Sequence, residues 1–304
     1  MRQAASPGQG PATQPLASLR RVLEMIRFSH SVFALPFALL ALVVGCGGWP
    51  PPATLGWVLL ALVSARSAAM GVNRLADRHL DAQNPRTATR HLVTGAVSVR
   101  FASAFTLLML ALFFGAAAML GTLALVLAPL VMLVLLGYSF LKRFTSLAHL
   151  GVGVALGLAP LGAWVAARGD LSGDLRFPLL LGSAVVLWVA GFDVIYACQD
   201  MEVDRRLGLH SIPARLGVER SLGVAMAMHA GCVALFALAG WHAGLVRWSA
   251  VALGLSVLLL ARAHRLARRE GVGPANAALM PLNGLVAVLL GVAGIVDALG
   301  RGPA

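Results

Sequence analysis

Asparagine and aspartate residues recur every four positions at the end of a long apolar stretch. Asn73, Asp77 and Asp81 lie in the segment NRLADRHLDAQNPRTATR. At about 100° per residue in a helix, this spacing predicts that the three side chains follow one helical stripe. Carboxylates gathered at one place repel each other unless cations pair with them. The stripe therefore predicts a site for a cation.

A second acidic stripe follows another apolar run, in the segment FDVIYACQDMEVDRRLG. Asp193, Asp200 and Asp204 stand seven and four positions apart, again on one face of a helix. Tyr196, Asp200 and Asp204 also repeat the four-residue spacing of the first stripe. This repetition suggests two pseudo-repeated half-bundles whose acidic stripes face a shared central cavity.

Two acidic stripes around one space match the ligand preferences of Mg²⁺. This ion binds hard oxygen atoms and is commonly held by one or two carboxylates together with substrate phosphates. Basic side chains are suited to the phosphate oxygens, and the candidates are Arg66, Arg86, Lys142 and Arg143. Below these charged groups we expect a cavity walled by apolar side chains. The expected ligand is a diphosphate with a long hydrocarbon tail, and Mg²⁺ would assist departure of the diphosphate.

The composition is that of an integral membrane protein. Of the 304 residues, 59% are hydrophobic and only 12% are charged, whereas roughly 25% of a soluble domain is charged. About nine apolar runs are long enough to span a bilayer. They lie near residues 28–47, 54–76, 99–119, 122–141, 147–167, 176–198, 221–241, 248–265 and 277–299. The sequence therefore predicts an all-α, nine-helix transmembrane bundle around a central cavity.

The basic residues follow the positive-inside rule. With a cytoplasmic N-terminus, most of the 24 Lys and Arg residues fall in the tail and in cytoplasmic loops. The exceptions on the opposite side are Arg168, Arg176, Arg247 and Arg301. This distribution predicts an outside C-terminus and places both acidic stripes at the cytoplasmic face of a bacterial membrane. It also makes nucleic acid an unnecessary explanation for the net charge of +12.

Residues outside the apolar runs carry few other signals. Residues 1–20 are rich in Pro, Gly, Gln and Ala, which predicts a disordered tail rather than a cleavable signal peptide. Residues 21–304 are expected to form a single transmembrane domain. The three cysteines are far apart and the eight histidines lack ligand spacing, so we expect no metal ligands among them.

Four segments resemble motifs of the UbiA-type intramembrane aromatic prenyltransferases, and in particular their 4-hydroxybenzoate polyprenyltransferase-like branch. NRLADRHLDAQNPRTATR is similar to the family's NxxxDxxxD…RT motif, and DVIYACQDMEVDRRLGLHSIPARLG to its second motif, DxxxYxxxDxxxD…GxxS. YSFLKRFT resembles the element at the end of its fourth helix, and IRFSHSVFALPFAL resembles its first helix. The one departure noted is Ser139, where the family usually has proline.

This resemblance implies transfer of a polyprenyl chain from a polyprenyl diphosphate to an aromatic acceptor in quinone biosynthesis. The acceptor would be 4-hydroxybenzoate or a related hydroxy-aromatic or naphthoate. The residues implied to bind Mg²⁺ and the diphosphate are Asn73, Asp77, Asp81, Asp200 and Asp204, and Arg66, Lys142 and Arg143 are implied to hold diphosphate oxygens.

The resemblance also suggests further roles. Asp193, counted with Asp77 and Asp200 as catalytic, corresponds to a carboxylate suggested to steady the developing cation or the phenol of the acceptor. Arg27 and Arg86 are candidates for the carboxylate of the acceptor. Tyr196 is a candidate substrate contact and equally an interfacial aromatic residue.

Alternatives remain at this point. Menaquinone-, haem- and chlorophyll-type acceptors occur within the same family. A transporter also carries intramembrane carboxylates and repeats, but these lie near the midplane. Phosphatidyl-alcohol transfer requires a contiguous DG…AR…G…D…D array that the chain lacks. For single residues, Asp193 could instead form a buried pair with Arg66, and the basic cluster Arg262 to Arg269 is expected to act only as a topology determinant.

Overall fold

The computed structural model describes residues 33–301 of the chain, and this part consists of helices joined by turns and loops, without strands. Its helices are α1 (Leu35–Cys46), α2 (Pro52–Ala76), α3 (Arg78–Asp81), α4 (Val99–Leu120), α5 (Thr122–Leu141), α6 (Ala148–Arg168), α7 (Arg176–Ala197), α8 (Met201–Arg206), α9 (Ile212–Leu216), α10 (Val218–His242), α11 (Arg247–Arg269) and α12 (Val272–Leu299). A 3₁₀ turn, Cys198–Asp200, joins α7 to α8.

The predicted transmembrane bundle is confirmed. Within residues 33–301, eight helices are long and apolar enough to cross a membrane, namely α2, α4, α5, α6, α7, α10, α11 and α12. Helix α1 is apolar but shorter, and the first predicted span, residues 28–47, begins outside the described residues. The predicted tail and Arg27 also lie outside them. The protein is a multi-pass integral membrane protein.

Helices α6 and α7 pack closely against each other. A Cβ atom added at Gly157 would lie 2.7 Å from the carbonyl oxygen of Gly182, and one added at Gly182 would lie 2.9 Å from that of Gly157. Glycine at both positions lets the two backbones approach, as small residues do in membrane helix packing. The crossing fixes α6 against α7, which carries the second acidic stripe.

The core is centred on the aromatic ring of Trp188 in α7. This side chain is fully buried, and its ring lies 5.5 Å from the ring of Phe37 in α1 and 5.5 Å from that of Phe192. Phe37 in turn stacks on Phe236 of α10 at 5.2 Å. Edge-to-face and offset contacts of this kind are favourable for aromatic pairs. Helix α7 is therefore held between α1, α6 and α10.

Hydrogen bonds link separate loops at each end of the bundle. At one end, the backbone N–H of His210 donates to the carbonyl of Lys142 at 2.7 Å, and Arg206 donates to the carbonyl of Gln83 at 3.1 Å. At the other end, Asp174 in the α6–α7 loop contacts His242 at the end of α10, at 2.7 Å. Both acidic stripes lie at the first of these ends.

Candidate active site

The first acidic stripe is not one continuous helix. Helix α2 ends at Ala76 and α3 begins at Arg78, with Asp77 between them at φ −91° and ψ 1°. The backbone bonds from Asp77 to Asn73 and from Asp81 to Asp77, at 3.0 and 2.7 Å, nevertheless keep the helical spacing. The three side chains therefore stay on one stripe, although the helix is interrupted at Asp77. The second stripe is interrupted in the same way by the turn at Cys198–Asp200.

Asp77 is buried and surrounded by donors. Its Oδ2 atom accepts from Lys142 Nζ at 2.7 Å and from Asn73 Nδ2 at 3.3 Å. Arg143 lies 3.6 Å from Oδ1 and donates to the carbonyl of Ala76 at 2.7 Å. The end of α5 thus supplies both basic residues that neutralise this carboxylate.

Asp81 is held by the loop that follows α3. Arg90 donates to Asp81 Oδ2 at 2.5 Å, and the Thr87 hydroxyl donates to the Asp81 carbonyl at 3.0 Å. Both partners belong to the segment NPRTATR, which folds back over the carboxylate. Neither Thr87 nor Arg90 was predicted individually.

Asp200 joins the two motifs. Arg86 binds it through two nitrogen atoms, with Nε 2.8 Å from Oδ1 and Nη2 2.5 Å from Oδ2, and Asn84 donates to Oδ1 at 2.8 Å. Arg86 also donates to the Tyr196 hydroxyl at 2.7 Å. Burial lowers the pKa of Arg86, but the hydrogen bond to Asp200 and the charge of Asp200 raise the pKa more, so that it exceeds the ordinary value. This paired fork is the geometry in which arginine binds carboxylates most strongly.

Asp193 is paired with a histidine that the sequence did not single out. His149 Nδ1 lies 2.7 Å from Asp193 Oδ2, and the backbone N–H of Ile212 donates to His149 Nε2 at 3.3 Å. Because Nε2 accepts a hydrogen bond, the proton of the neutral ring is on Nδ1 and is donated to Asp193. Asp193 therefore contacts His149, and the alternative pairing with Arg66 is not the one formed.

These side chains meet in one polar pocket of about 210 Å³. The predicted residues that line it are Asn73, Asp77, Asp81, Arg86, Lys142, Asp193, Tyr196, Asp200 and Asp204. Arg143 lies behind Asp77 and is not part of the wall, whereas Arg74, Asn84, Arg90, His149 and Ser211 are unpredicted wall residues.

A larger apolar cavity of about 640 Å³ adjoins the polar pocket. Tyr138 lines both spaces. Arg66 lines the apolar cavity and not the polar pocket, and its Nε atom is buried without a hydrogen-bond partner among the described residues. The predicted arrangement of a charged pocket above an apolar cavity is therefore present, with Arg66 in the wall of the apolar part.

The donor set of the polar pocket suits a divalent cation. Asp77, Asp81, Asp200 and Asp204 supply hard carboxylate oxygens to one space. Asp77 Oδ1 is buried and accepts no hydrogen bond in residues 33–301, with Arg143 3.6 Å away, and is therefore an unsatisfied acceptor of the kind that a cation would satisfy. In the same residues no three acidic, His or Cys side chains converge on one point, because basic side chains pair with the carboxylates instead.

Family comparison agrees with this geometry. Residues 34–290 match the model of the UbiA prenyltransferase family. The chain is also 33% identical over 255 residues to the 4-hydroxybenzoate octaprenyltransferase of Xanthomonas campestris pv. campestris, covering 83% of each chain.

Solved structures give the same fold. A UbiA homologue from Aeropyrum pernix K1 is 39% identical, with a TM-score of 0.80 over 88% of this chain and 98% of that one. A UbiA homologue from Archaeoglobus fulgidus, solved with DMAPP and Mg²⁺, has a TM-score of 0.70 and 21% identity over 92% of this chain and 99% of that one.

Proposed function

The chain belongs to the UbiA prenyltransferase family and is a prenyltransferase, and from this premise we propose that it transfers a polyprenyl chain from a polyprenyl diphosphate to an aromatic acceptor in a Mg²⁺-dependent reaction. The proposal rests on one observation: the polar pocket and the apolar cavity adjoin, and Tyr138 lines both of them. A diphosphate fits the first space, and a hydrocarbon tail fits the second. Membership of this family also argues against the main alternative, which is a membrane transporter.

The apolar cavity is suited to the prenyl tail. Helix α2 contributes wall residues from Val58 to Ala69, a rise of about 17 Å along a helix. Further wall residues come from α4, α5 and α6, and from Leu171 and Leu175 in the loop at the far end. A long chain lying here would leave its diphosphate next to Arg66 and Tyr138.

The polar pocket is suited to the diphosphate and its cation. We assign Asn73, Asp77, Asp81, Asp200 and Asp204 as the residues that would hold Mg²⁺, which when bound stabilises the charge of the departing diphosphate. Lys142, Arg143, Arg86 and Arg66 would bind phosphate oxygens, and the first three now pair with carboxylates. An incoming anion would compete for these cations and release carboxylate oxygens for the metal.

Asp193 is assigned to the acceptor. Its Oδ2 atom is occupied by the His149 proton, and the side chain is partly exposed in the wall of the polar pocket. The carboxylate could therefore accept a proton from the acceptor hydroxyl, a general-base role. His149 would keep the carboxylate correctly oriented.

The acceptor we favour is 4-hydroxybenzoate or a related hydroxy-aromatic or naphthoate, within quinone biosynthesis. The name of the Xanthomonas relative supports this choice, and haem- or chlorophyll-type acceptors are the alternatives. Arg86 is bound to Asp200 and Tyr196 and could hold the acceptor carboxylate only by exchanging partners. If Arg86 changed partners in this way, the Tyr196 hydroxyl would be released and could contact the acceptor.

The distribution of basic residues supports a cytoplasmic N-terminus and an active site at the cytoplasmic face of a bacterial membrane. We further propose that residues 21–304 form a single domain, of which 34–290 match the family model.

The experiment supplies the detergent-purified protein with geranyl diphosphate and a panel of phenolic and naphthoic acids, and identifies products by mass spectrometry. Prenylated product is expected with Mg²⁺, none after EDTA, and recovery when Mg²⁺ is restored. Product formation that persists in EDTA would remove the metal assignment, and a product without an aromatic acceptor would remove the acceptor assignment.

A further inference from the structure

A third space lies away from both parts of the active site. It is a groove of about 430 Å³ between α10 and α11, and it shares no wall residue with the polar pocket or the apolar cavity. One wall is formed by Met226, Ala230 and Val233 of α10, and the other by Val257 and Leu260 of α11. Met226, Ala230 and Val257 are exposed on the outside of the bundle, where a lipid chain can reach them.

One end of this groove is strongly basic. Arg265, Arg268 and Arg269, in the last two turns of α11, are exposed and line the groove. None of them forms an ion pair with a carboxylate of residues 33–301, and no acidic side chain lines the groove. Three exposed guanidinium groups without a carboxylate partner, next to an apolar surface, suit an anion attached to an apolar chain.

The floor of the groove contains an unsatisfied polar atom. His264 is only 7% exposed, and its Nε2 atom lies 2.8 Å from His229 Nδ1. His229 Nε2 lies 3.3 Å from the carbonyl oxygen of Trp188. A carbonyl can only accept, so His229 donates from Nε2 and accepts from His264 at Nδ1. His264 Nδ1 is then an acceptor, and it has no partner among the described residues.

We infer that the groove between α10 and α11 binds an anionic phospholipid. Its phosphate lies between Arg265 and Arg268, and one acyl chain lies between α10 and α11. The interfacial part of the lipid, with its bound water, lies at the depth of His264, where a purely apolar occupant would leave Nδ1 unpaired. The basic end of the groove is at the same end of the bundle as the polar pocket, since α11 is followed by α12, whose Asn276 contacts the Tyr196 carbonyl.

Bound lipid should stabilise the packing of α7. The His264–His229 pair ends on the backbone of Trp188, and a Cβ atom added at Gly191 of α7 would lie 2.5 Å from His229 Nε2. The groove floor is therefore in direct contact with the helix that carries Asp193. Lipid that holds α10 and α11 together reaches α7 through this contact, so occupancy is expected to raise the melting temperature.

The test uses the full chain, delipidated in detergent, with phosphatidylglycerol or phosphatidylcholine of identical acyl chains as probes. Native mass spectrometry counts bound lipid, and thermal unfolding reports stabilisation. We expect phosphatidylglycerol to bind at least roughly tenfold more tightly than phosphatidylcholine and to raise the melting temperature. Inorganic phosphate, which can also bind in the polar pocket, should give no stabilisation that depends on Arg265 and Arg268. Equal binding of the two lipids, or stabilisation by inorganic phosphate that is lost when Arg265 and Arg268 are replaced, would overturn the proposal.

Variants locate the effect. Arg265→Gln with Arg268→Gln should abolish the preference for phosphatidylglycerol, and Ala261→Phe should reduce binding by filling the groove without a change of charge. The matched control is Arg262→Gln, since Arg262 is exposed on the same helix but does not line the groove. Each variant is first compared with the wild type without lipid, so that a folding defect is recognised. The proposal fails if Arg262→Gln loses as much preference as the double variant, or if the double variant and Ala261→Phe both retain it.

Discussion

At the scale of single residues, the candidate site is a set of carboxylates, most of which are paired with a base. Asp77 pairs with Lys142, Asp81 with Arg90, and Asp200 with Arg86. Such pairing makes it possible to keep several acids in a small, partly dehydrated space, where unpaired charges would be costly. Under the proposed function, the same pairing would keep the residues for the diphosphate and those for the cation side by side until substrate binds.

Asp200→Asn tests whether the negative charge of the Asp200 carboxylate is needed for the reaction. The substitution keeps the shape of the side chain but removes a negative charge from the polar pocket, so we expect kcat/KM to fall by at least about 100-fold. The control is Glu202→Gln, because Glu202 lies two positions away with an exposed side chain outside the pocket wall. Its activity should stay within about twofold of the wild type. Equal activity of the two variants would contradict the assignment of Asp200, provided that thermal unfolding shows both folded.

His149→Phe tests the positioning of Asp193. Loss of the 2.7 Å hydrogen bond leaves Asp193 without its fixed donor, and a hydrogen bond to a charged group contributes roughly 1.5–3 kcal/mol. We expect kcat to fall about 10- to 100-fold, with little change in KM for the prenyl diphosphate. Adding Asp193→Asn should cost little more, because the two residues act as a unit.

The control for His149 is His242→Phe, which breaks a comparable histidine–aspartate contact at the opposite end of the bundle. This variant should keep its activity. If the effects of His149→Phe and Asp193→Asn simply add, the two side chains act independently and the positioning role is wrong.

How far single residues could be predicted depends on whether their signal is local. The aspartates recur at helical spacing next to apolar runs, so they were identifiable and lie together as expected, whereas their roles as metal ligands stay predictions. His149 is separated from Asp193 by 44 positions, and spacing along the chain carries no information about which two helices cross. Asn84 and Arg90 lie in an irregular loop, where no periodicity marks the inward-facing side chains.

At the scale of elements, long apolar helices were predictable because their length is set by the thickness of the bilayer. The short helices α3, α8 and α9 were not, since each depends on tertiary contacts. Helix α9 begins where the Ser211 hydroxyl accepts from the Ala214 N–H, and Arg205 donates to the Ala214 carbonyl. The structure differs from the predicted continuous helices in one respect: both acidic stripes are interrupted where the long apolar helices give way to these short ones.

Ala124→Phe tests whether the length of the apolar cavity sets the length of the prenyl chain that the enzyme accepts. Ala124 lies in the first turn of α5, at the end of the cavity far from Tyr138, and lines its wall. A ring at this position would shorten the cavity without reaching the polar pocket. We expect the ratio of kcat/KM for long over short prenyl diphosphates to fall at least about tenfold, with activity on geranyl diphosphate retained.

The matched control for Ala124→Phe is Val126→Phe, two positions along the same helix. Val126 is 67% exposed on the outer surface and does not line the cavity, so its substitution should leave the chain-length preference unchanged. If both variants behave like the wild type, the tail lies elsewhere.

At the scale of the whole molecule, the two ends of the bundle differ in chemistry. The candidate site and most loop arginines are at one end, while the other end has the exposed Asp174–Arg176 pair and the contact with His242. Because successive membrane-spanning helices run in opposite directions, successive loops lie at opposite ends of the bundle. The asymmetry of charge then predicts which end is cytoplasmic, and this prediction depends on the entire chain and not on any one segment.

Cysteine labelling tests that orientation in intact bacterial cells. After the native cysteines Cys46, Cys198 and Cys232 are replaced by serine or alanine, a single cysteine is introduced at Gln83 or at Ser172. Both positions are exposed, the first beside the candidate site and the second in the α6–α7 loop. If the active site faces the cytoplasm, a membrane-impermeant maleimide labels Ser172→Cys in intact cells and labels Gln83→Cys only after permeabilisation. The reverse pattern would put the site on the outer face, where a diphosphate substrate made in the cytoplasm could not reach it without crossing the membrane, and the positive-inside argument for this protein would be wrong.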